Sequence, residues 1–250
     1  MGILRTDVVS HSQLEGSGSV EFDGVGDTLT FAAHSAFAPA TADVTFECFI
    51  NLSTFTPTSS GSYIFDMGAN GYRFQIYNSQ LYFGVSGSDY VGPISNAISI
   101  NTWHHLAGVR DGNALKLYVD GVHLGTKITT ASVTTTSLVI GNHGGESQAG
   151  NYEPVGFISN FRYVRGVVYK GPFTPPKFEL KNIPGTIVLG CQSTTSATDF
   201  AVTPSTVTAN GDAAASSFHP GLKKDITDTG VVFDGVTTFD SQAFMVPPSG

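Results

Sequence analysis

The sequence predicts an all-β chain of two stacked antiparallel sheets, and three observations carry that prediction. Short segments that alternate apolar and polar residues recur with turn residues between them, which is the spacing of a sandwich. Gly 29 and Pro 12 punctuate a chain of 250 residues that is 40% hydrophobic and only 13% charged. Thr, Val, Phe and Tyr are abundant, and branched and aromatic side chains pack well on pleated, half-buried surfaces. Few segments have the density of Ala, Leu, Glu and Lys that a helix wants. A chain of this length buries enough apolar surface to hold a core without covalent staples.

The elements follow in order. Val20-Glu21-Phe22-Asp23-Gly24 and Thr28-Leu29-Thr30-Phe31 open the domain as strands. Val44, Phe46, Cys48 and Ile50 alternate with Thr45, Glu47 and Asn51, giving one apolar face. Tyr63 to Asp66 is a short strand ended by Gly68 and the Asn70-Gly71 turn. From Tyr72 to Val85 a two-residue turn at Asn78-Ser79 pairs Ile76 with Leu81 and Phe74 with Phe83 on the core face. A second hairpin joins Trp103–Arg110 to Ala114–Asp120 through Asp111-Gly112-Asn113, and Asp120-Gly121 begins the next tight turn. Ser137–Gly141 and Gly156–Val164 are further strands, separated by a polar loop at 142–154. The Pro- and Gly-punctuated stretch from Tyr169 to Pro176 marks the end of the main domain.

Three parts result: an N-terminal arm at 1–16, the sandwich at 17–180, and a C-terminal extension at 181–250 with one or two extra strands. Thr186–Cys191 is one such strand. The Thr-, Ser- and Ala-rich residues 192–217 read as an extended arm lying on a neighbouring surface. Val231-Val232-Phe233-Asp234-Gly235-Val236 echoes Val20–Val25. It reads either as a strand capping a sheet edge, in this subunit or an adjacent one, or as coincidence between two Val-rich strands.

Charge and cysteines narrow the partners. A formal net charge of -8 argues against nucleic acid, which needs clustered Lys and Arg, and suits neutral partners such as sugars or other subunits. Cys48 and Cys191 cannot make a disulfide framework; two buried thiols are expected, with a single bridge the alternative. The opening MGILRTDVVSHSQLEG lacks an apolar h-region, so a conventional secretory signal is not expected. No stretch approaches the ~20 apolar residues of a membrane-spanning helix, so no membrane partner is expected.

Two places suit a glycan. The outward face of the first hairpin carries Arg73, Gln75, Tyr77 and Tyr82, aromatic plates beside hydrogen-bonding groups. The 142–154 loop supplies His143, Glu146, Asn151 and Tyr152. The same hairpin face suits a subunit contact, since Tyr and Arg are favoured there too. His104-His105 points its two rings to opposite faces and so cannot form one metal or substrate site. One is expected in the core and one outward, with Trp103 in the core.

Read together, Ser19-Val-Glu-Phe-Asp-Gly-Val-Gly-Asp-Thr-Leu29, Thr102-Trp-His-His-Leu-Ala-Gly-Val-Arg-Asp-Gly-Asn113 with Leu117-Tyr-Val-Asp-Gly121, and Phe157-Ile-Ser-Asn-Phe-Arg-Tyr-Val164 resemble the laminin-G-like, concanavalin A-like jelly rolls. Ser159-Asn160 stands where an acidic residue is often found in that group. The resemblance covers roughly residues 17–180 and implies a two-sheet antiparallel jelly-roll sandwich followed by an extended C-terminal arm. Some members hydrolyse glycans with a Glu-x-Asp-x-x-Glu motif. It is absent here, because Glu21-Phe22-Asp23 is followed by Gly26 at the third position, so no catalytic residue is expected. Members often hold calcium, for which Asp23, Asp27, Asp66 and Asn142 are suitable oxygen donors although their spacing forms no closed loop. No other cofactor is implied.

The tail, Pro184-Gly-Thr-Ile-Val-Leu-Gly-Cys-Gln192 and Thr208-Ala-Asn-Gly-Asp212, is similar to proteins of marine and cyanobacterial bacteriophages. This implies a non-enzymatic virion-surface protein, a capsid decoration or fibre, assembled in the host cytoplasm. Its partners would be other virion proteins or its own copies, with glycans as ligands. A bacterial carbohydrate-binding module or adhesin is the alternative, and a glycoside hydrolase stands third.

Overall fold

The computed structural model describes residues 17–55, 61–85, 87, 89–144 and 152–222. The 1–16 arm and the Val231–Val236 echo lie outside these residues. One sheet runs in the order β10 (Val122–Ile128), β9 (Ala114–Val119), β8 (His104–Asp111), β3 (Val44–Leu52), β12 (Val155–Val164), β1 (Ser19–Asp23) and β15 (Ala214–Ser216). In this first sheet β13 (Thr186–Gly190) also pairs with β12, in line with β1. The second sheet runs β14 (Val207–Asn210), β2 (Thr28–Phe31), β11 (Val139–Ile140), β4 (Ser62–Asp66), β5 (Tyr72–Tyr77), β6 (Gln80–Val85) and β7 (Asp89–Ser95). All pairings are antiparallel, and the fold is the two-sheet jelly roll that the sequence predicts.

The first hairpin shows how local chemistry sets register. Asn78 and Ser79 both take positive φ (49° and 59°), the backbone of a turn whose twist matches the flanking strands. Ile76 therefore faces Leu81 and Phe74 faces Phe83, and all four are buried. Between the sheets the Phe46 ring stacks on Phe65 at 4.7 Å and on Tyr163 at 4.4 Å, with Phe74 and Phe83 4.9 Å apart beside them. Phe83 fits only because its neighbour across the core is glycine: a Cβ at Gly108 would lie 2.3 Å from the ring.

The outer face of the first sheet is covered, which simple alternation does not anticipate. Thr45, Glu47 and Asn51 are buried although they point away from the core. The chain from Arg165 to Lys181 lies across Thr45 and Glu47, with Tyr169 and Phe173 stacked 3.6 Å apart. Tyr169 donates to Glu47 at 2.7 Å, the Phe173 N–H donates to the Gly121 carbonyl at 3.0 Å, and Arg162 donates to the Lys181 carbonyl at 2.7 Å.

The C-terminal extension folds back on its own chain between 181 and 222. It contributes three strands, not the arm on a neighbouring surface expected of 192–217: β13 extends the first sheet, β14 pairs with β2, and β15 pairs with β1. The cause is the open edge that each sheet would otherwise present, a row of unpaired N–H and C=O groups.

Candidate functional site

Because Phe74, Ile76, Leu81 and Phe83 point inward, Arg73, Gln75, Tyr77 and Tyr82 share the outer face of the second sheet. Gln75 is central: its cross-strand neighbours are Tyr82 on β6 and Tyr63 on β4. Tyr63 reaches this face through a bulge. The register shifts between Tyr63 and Phe65, so Ile64 and Phe65 both enter the core and Tyr63 turns outward. On the far side the Tyr82 ring lies 6.3 Å from Tyr90 and its hydroxyl donates to Gln80 at 3.2 Å. The Gln75 carboxamide has no hydrogen-bond partner among the described residues.

Asp66 fastens this face to the following loop. One carboxylate oxygen accepts the Gly68 N–H at 2.9 Å and lies 3.2 Å from Arg73 Nη2. The other accepts the Gly144 N–H at 3.0 Å and lies 3.5 Å from His143 Nε2. Burial pushes the Asp66 carboxyl up, and the Arg73 charge, the Gly144 N–H and His143 only partly offset this. Arg73 is 5% exposed, donates also to the Gly68 carbonyl at 3.3 Å, and stands 5.3 Å over the Tyr63 ring. Burial raises the Tyr63 hydroxyl to about 12, so it stays protonated and able to donate near neutral pH.

The two predicted places are therefore one. His143 and Tyr152 pack edge-on against Tyr63 at 5.0 and 5.6 Å, and the Tyr63 N–H donates to the Tyr152 carbonyl at 2.9 Å. Gln75, Tyr82, His143 and Tyr152 are half-buried and Tyr77 is 40% exposed, whereas Arg73 is buried in its ion pair. Glu146 and Asn151 lie outside the described residues. Tyr63 and Asp66 were not among the residues expected to bind glycan. The signal for Asp66 was present, a carboxylate two residues before Gly68 on a strand end, but nothing in the alternation marks the bulge that turns Tyr63 to the outer face, where it is packed down to 6% exposure.

Elsewhere the histidines split, as adjacent strand residues must. His105 is buried, with Nε2 3.1 Å from Glu47, but on the covered outer face and not between the sheets. His104 lies 2.7 Å from Asp120 and 3.0 Å from Ser99. Trp103 is not core either: it sits half-buried against Phe157 (6.4 Å) and Phe218 (5.4 Å), because β8 begins after it at His104 and the tail returns over its ring.

Of the four possible calcium ligands, Asp66 and Asn142 are spent on Arg73, main-chain N–H groups and Glu153. Asp23 and Asp27 join Asp212, their carboxylate oxygens within 4.8 Å of one another, beside a cleft of about 290 Å³ that Glu21 also lines. Hard oxygens of this kind suit calcium. Each Asp27 oxygen already accepts a main-chain N–H, from Asp23 at 2.8 Å and Asp212 at 2.7 Å, and Asp23 Oδ1 accepts the Val25 N–H at 2.7 Å, so a structural ion would draw on Asp23 Oδ2 and the Asp212 carboxylate.

Residues 23–168 match the laminin-G-type family model described as the concanavalin A-like lectin/glucanases superfamily. The chain belongs to this superfamily. The matched span contains every described residue of the Tyr63–Gln75–Tyr82 face, while β13, β14 and β15 lie beyond it. Comparison with curated protein sequences gives no match. Among solved structures, this concanavalin A-like chain is similar to a protein from Bacteroides ovatus ATCC 8483 named as a putative carbohydrate binding protein, at 14% identity and a TM-score of 0.62. That similarity covers 81% of this chain and 60% of the Bacteroides chain. It is also similar to the native heptameric SAP-like pentraxin of Limulus polyphemus, at 15% identity and a TM-score of 0.54, covering 82% of this chain and 96% of that one. At these identities the likeness is one of fold.

Proposed function

We propose that this chain is a non-catalytic, lectin-like jelly roll that binds glycan on the outer face of its second sheet. The observation that carries the reading is the uncommitted, half-buried Gln75 carboxamide on the outer face, in register with the half-buried Tyr82 on one side and with Tyr63, 6% exposed, on the other. Aromatic rings cover the apolar faces of sugars while an amide exchanges hydrogen bonds with their hydroxyls. The superfamily assignment and the fold shared with the Bacteroides protein support the same reading. Hydrolysis of a glycosidic bond by the usual route needs two carboxyl groups flanking it. Among the described residues of β4 to β7, this face offers one, Asp66, and it is bound to Arg73.

A glycan array probed with the whole chain and with Gln75→Ala and Tyr82→Ala tests the proposal. Specific retention that both substitutions abolish is the expected result. A blank array, or retention that neither substitution changes, overturns it. If the same substitutions instead alter the oligomeric state by light scattering, the face is a contact between copies.

The setting we propose is a virion surface, where the jelly roll would be displayed with its own copies or other virion proteins around it. The similarity of Pro184–Gln192 and Thr208–Asp212 to bacteriophage proteins supports this reading. Antibody against the chain should decorate intact particles; labelling confined to free protein would refute the setting without touching glycan binding.

A further inference from the structure

Building on glycan binding at this face, we infer that the ligand is the interior of an uncharged polysaccharide chain, laid across strands β4 to β7 and not held by its end. The groups that would touch it form a row at right angles to the strands. At one end the half-buried Tyr152 ring packs on the buried Tyr63, at the other Tyr82 and Tyr90 make a half-buried pair, and Gln75 fills the gap between them. Three inter-strand gaps of about 4.8 Å give the row a length of about 14 Å, longer than a single sugar ring. Gly92 keeps the β7 end low: a Cβ there would lie 2.9 Å from the Tyr82 ring.

Recognition of a chain end or a lone sugar calls for a concave pocket that encloses most of the ligand. Here the polar reader stands in the middle of a sheet face, with rings on both sides of it and Tyr77 40% exposed alongside. A ligand that continues past both ends is the shape this row accepts.

The charge pattern selects a neutral chain. On the outer face of β4 to β7 the charged side chains among the described residues are Asp66 and Arg73, which neutralise each other at 3.2 Å. Asp89 belongs to the opposite side, in register with Val85, and accepts from Thr129. A uronate or sulfate on the row would meet a guanidinium already committed to a buried carboxylate, in a chain of net charge -8.

Calorimetric titration of the full chain tests this with neutral cello-, xylo-, manno- and laminari-oligosaccharides of one to six units, and with oligogalacturonates of the same lengths. The expected result is no measurable binding of monosaccharides, a gain of about tenfold or more in affinity from two units to four in one neutral series, and no preference for the uronates. Gln75→Ala should weaken the longest ligand about tenfold or more, with an unchanged melting temperature. Monosaccharide binding as tight as that of the hexamer overturns the chain-interior inference, and preferential uronate binding overturns the uncharged one. Either result leaves glycan binding at the face intact. If neither these series nor the array gives binding, the underlying reading fails instead.

Discussion

The Asp27 carboxylate accepts the main-chain N–H of Asp212 at 2.7 Å, across 185 residues of sequence. The chain passes from β1 in one sheet to β2 in the other through the turn that Asp27 closes, and it passes back alongside from β14 to β15 through Gly211-Asp212. One side chain thus pins two crossings of the same corner. Replacing it by alanine removes the acceptor of the part-buried Asp23 and Asp212 N–H groups, a loss of about 0.5–1.5 kcal/mol for each hydrogen bond. Asp27→Ala should lower the urea midpoint accordingly and make the 207–216 segment the first site of limited proteolysis.

The same corner has a defined pH response. Burial raises the Asp27 carboxyl above 3.8, helped by the nearby Asp212 and Asp23 carboxyls. A carboxyl that titrates higher in the folded than in the unfolded chain binds more protons when folded, so its contribution to stability falls as pH rises. The loss begins near the ordinary value and is complete once pH exceeds the raised one. Stability of the wild type relative to Asp27→Asn should therefore decline over that window and stay flat above it, as read by urea unfolding at stepped pH.

Glu47 carries the opposite sign. Burial alone would push its carboxyl up, but the His105 hydrogen bond and the Arg162 charge hold it below 4.5. Its contribution is present above the ordinary value and is lost as pH falls through the depressed one. Arg162 donates to it twice, at 2.9 and 2.6 Å. Glu47→Ala strands a buried guanidinium, which costs about 3–5 kcal/mol, and should release the 165–181 segment to hydrogen exchange. A cost below about 1 kcal/mol would show that the network does not hold the segment.

Gly108→Ala tests the packing of the two sheets at one point. The new methyl group meets the Phe83 ring, so the substitution should destabilise the chain by about 1–3 kcal/mol in thermal or chemical unfolding. Phe83 precedes no binding residue on its own face. Any weakening of glycan binding would therefore come through its strand neighbour Tyr82.

How much of this was legible in the sequence depends on which rule governed each segment. Hairpin register was legible because Asn78-Ser79 and Asp120-Gly121 dictate turns, and period-two alternation does the rest. Tyr63 was hidden because a single bulged residue, Ile64, reverses that alternation, and bulges have no composition signal. Arg73 was legible as an outward residue but not as a buried one, since its partner Asp66 lies on another strand. Thr45 and Glu47 look solvent-facing until the 165–181 segment covers them, a long-range event that local pattern cannot report. Asn160 belongs to the same class. It takes φ 54° at the register break in β12, and its amide bonds Ser17, Ser159, Leu180 and Gln192 at once. That need for a donor and an acceptor accounts for an amide where an acidic residue is more usual.

The most direct measurement is NMR mapping of the chain with a saturating array-positive oligosaccharide, following side-chain amides and aromatic ring protons. Binding on the second sheet predicts that the Gln75 carboxamide and the Tyr63 and Tyr82 rings shift together, with the Trp103 and Phe218 rings unmoved. Shifts centred on Trp103, Phe157 and Phe218, or on the Asp23–Asp27–Asp212 corner, with Gln75 silent, would contradict it.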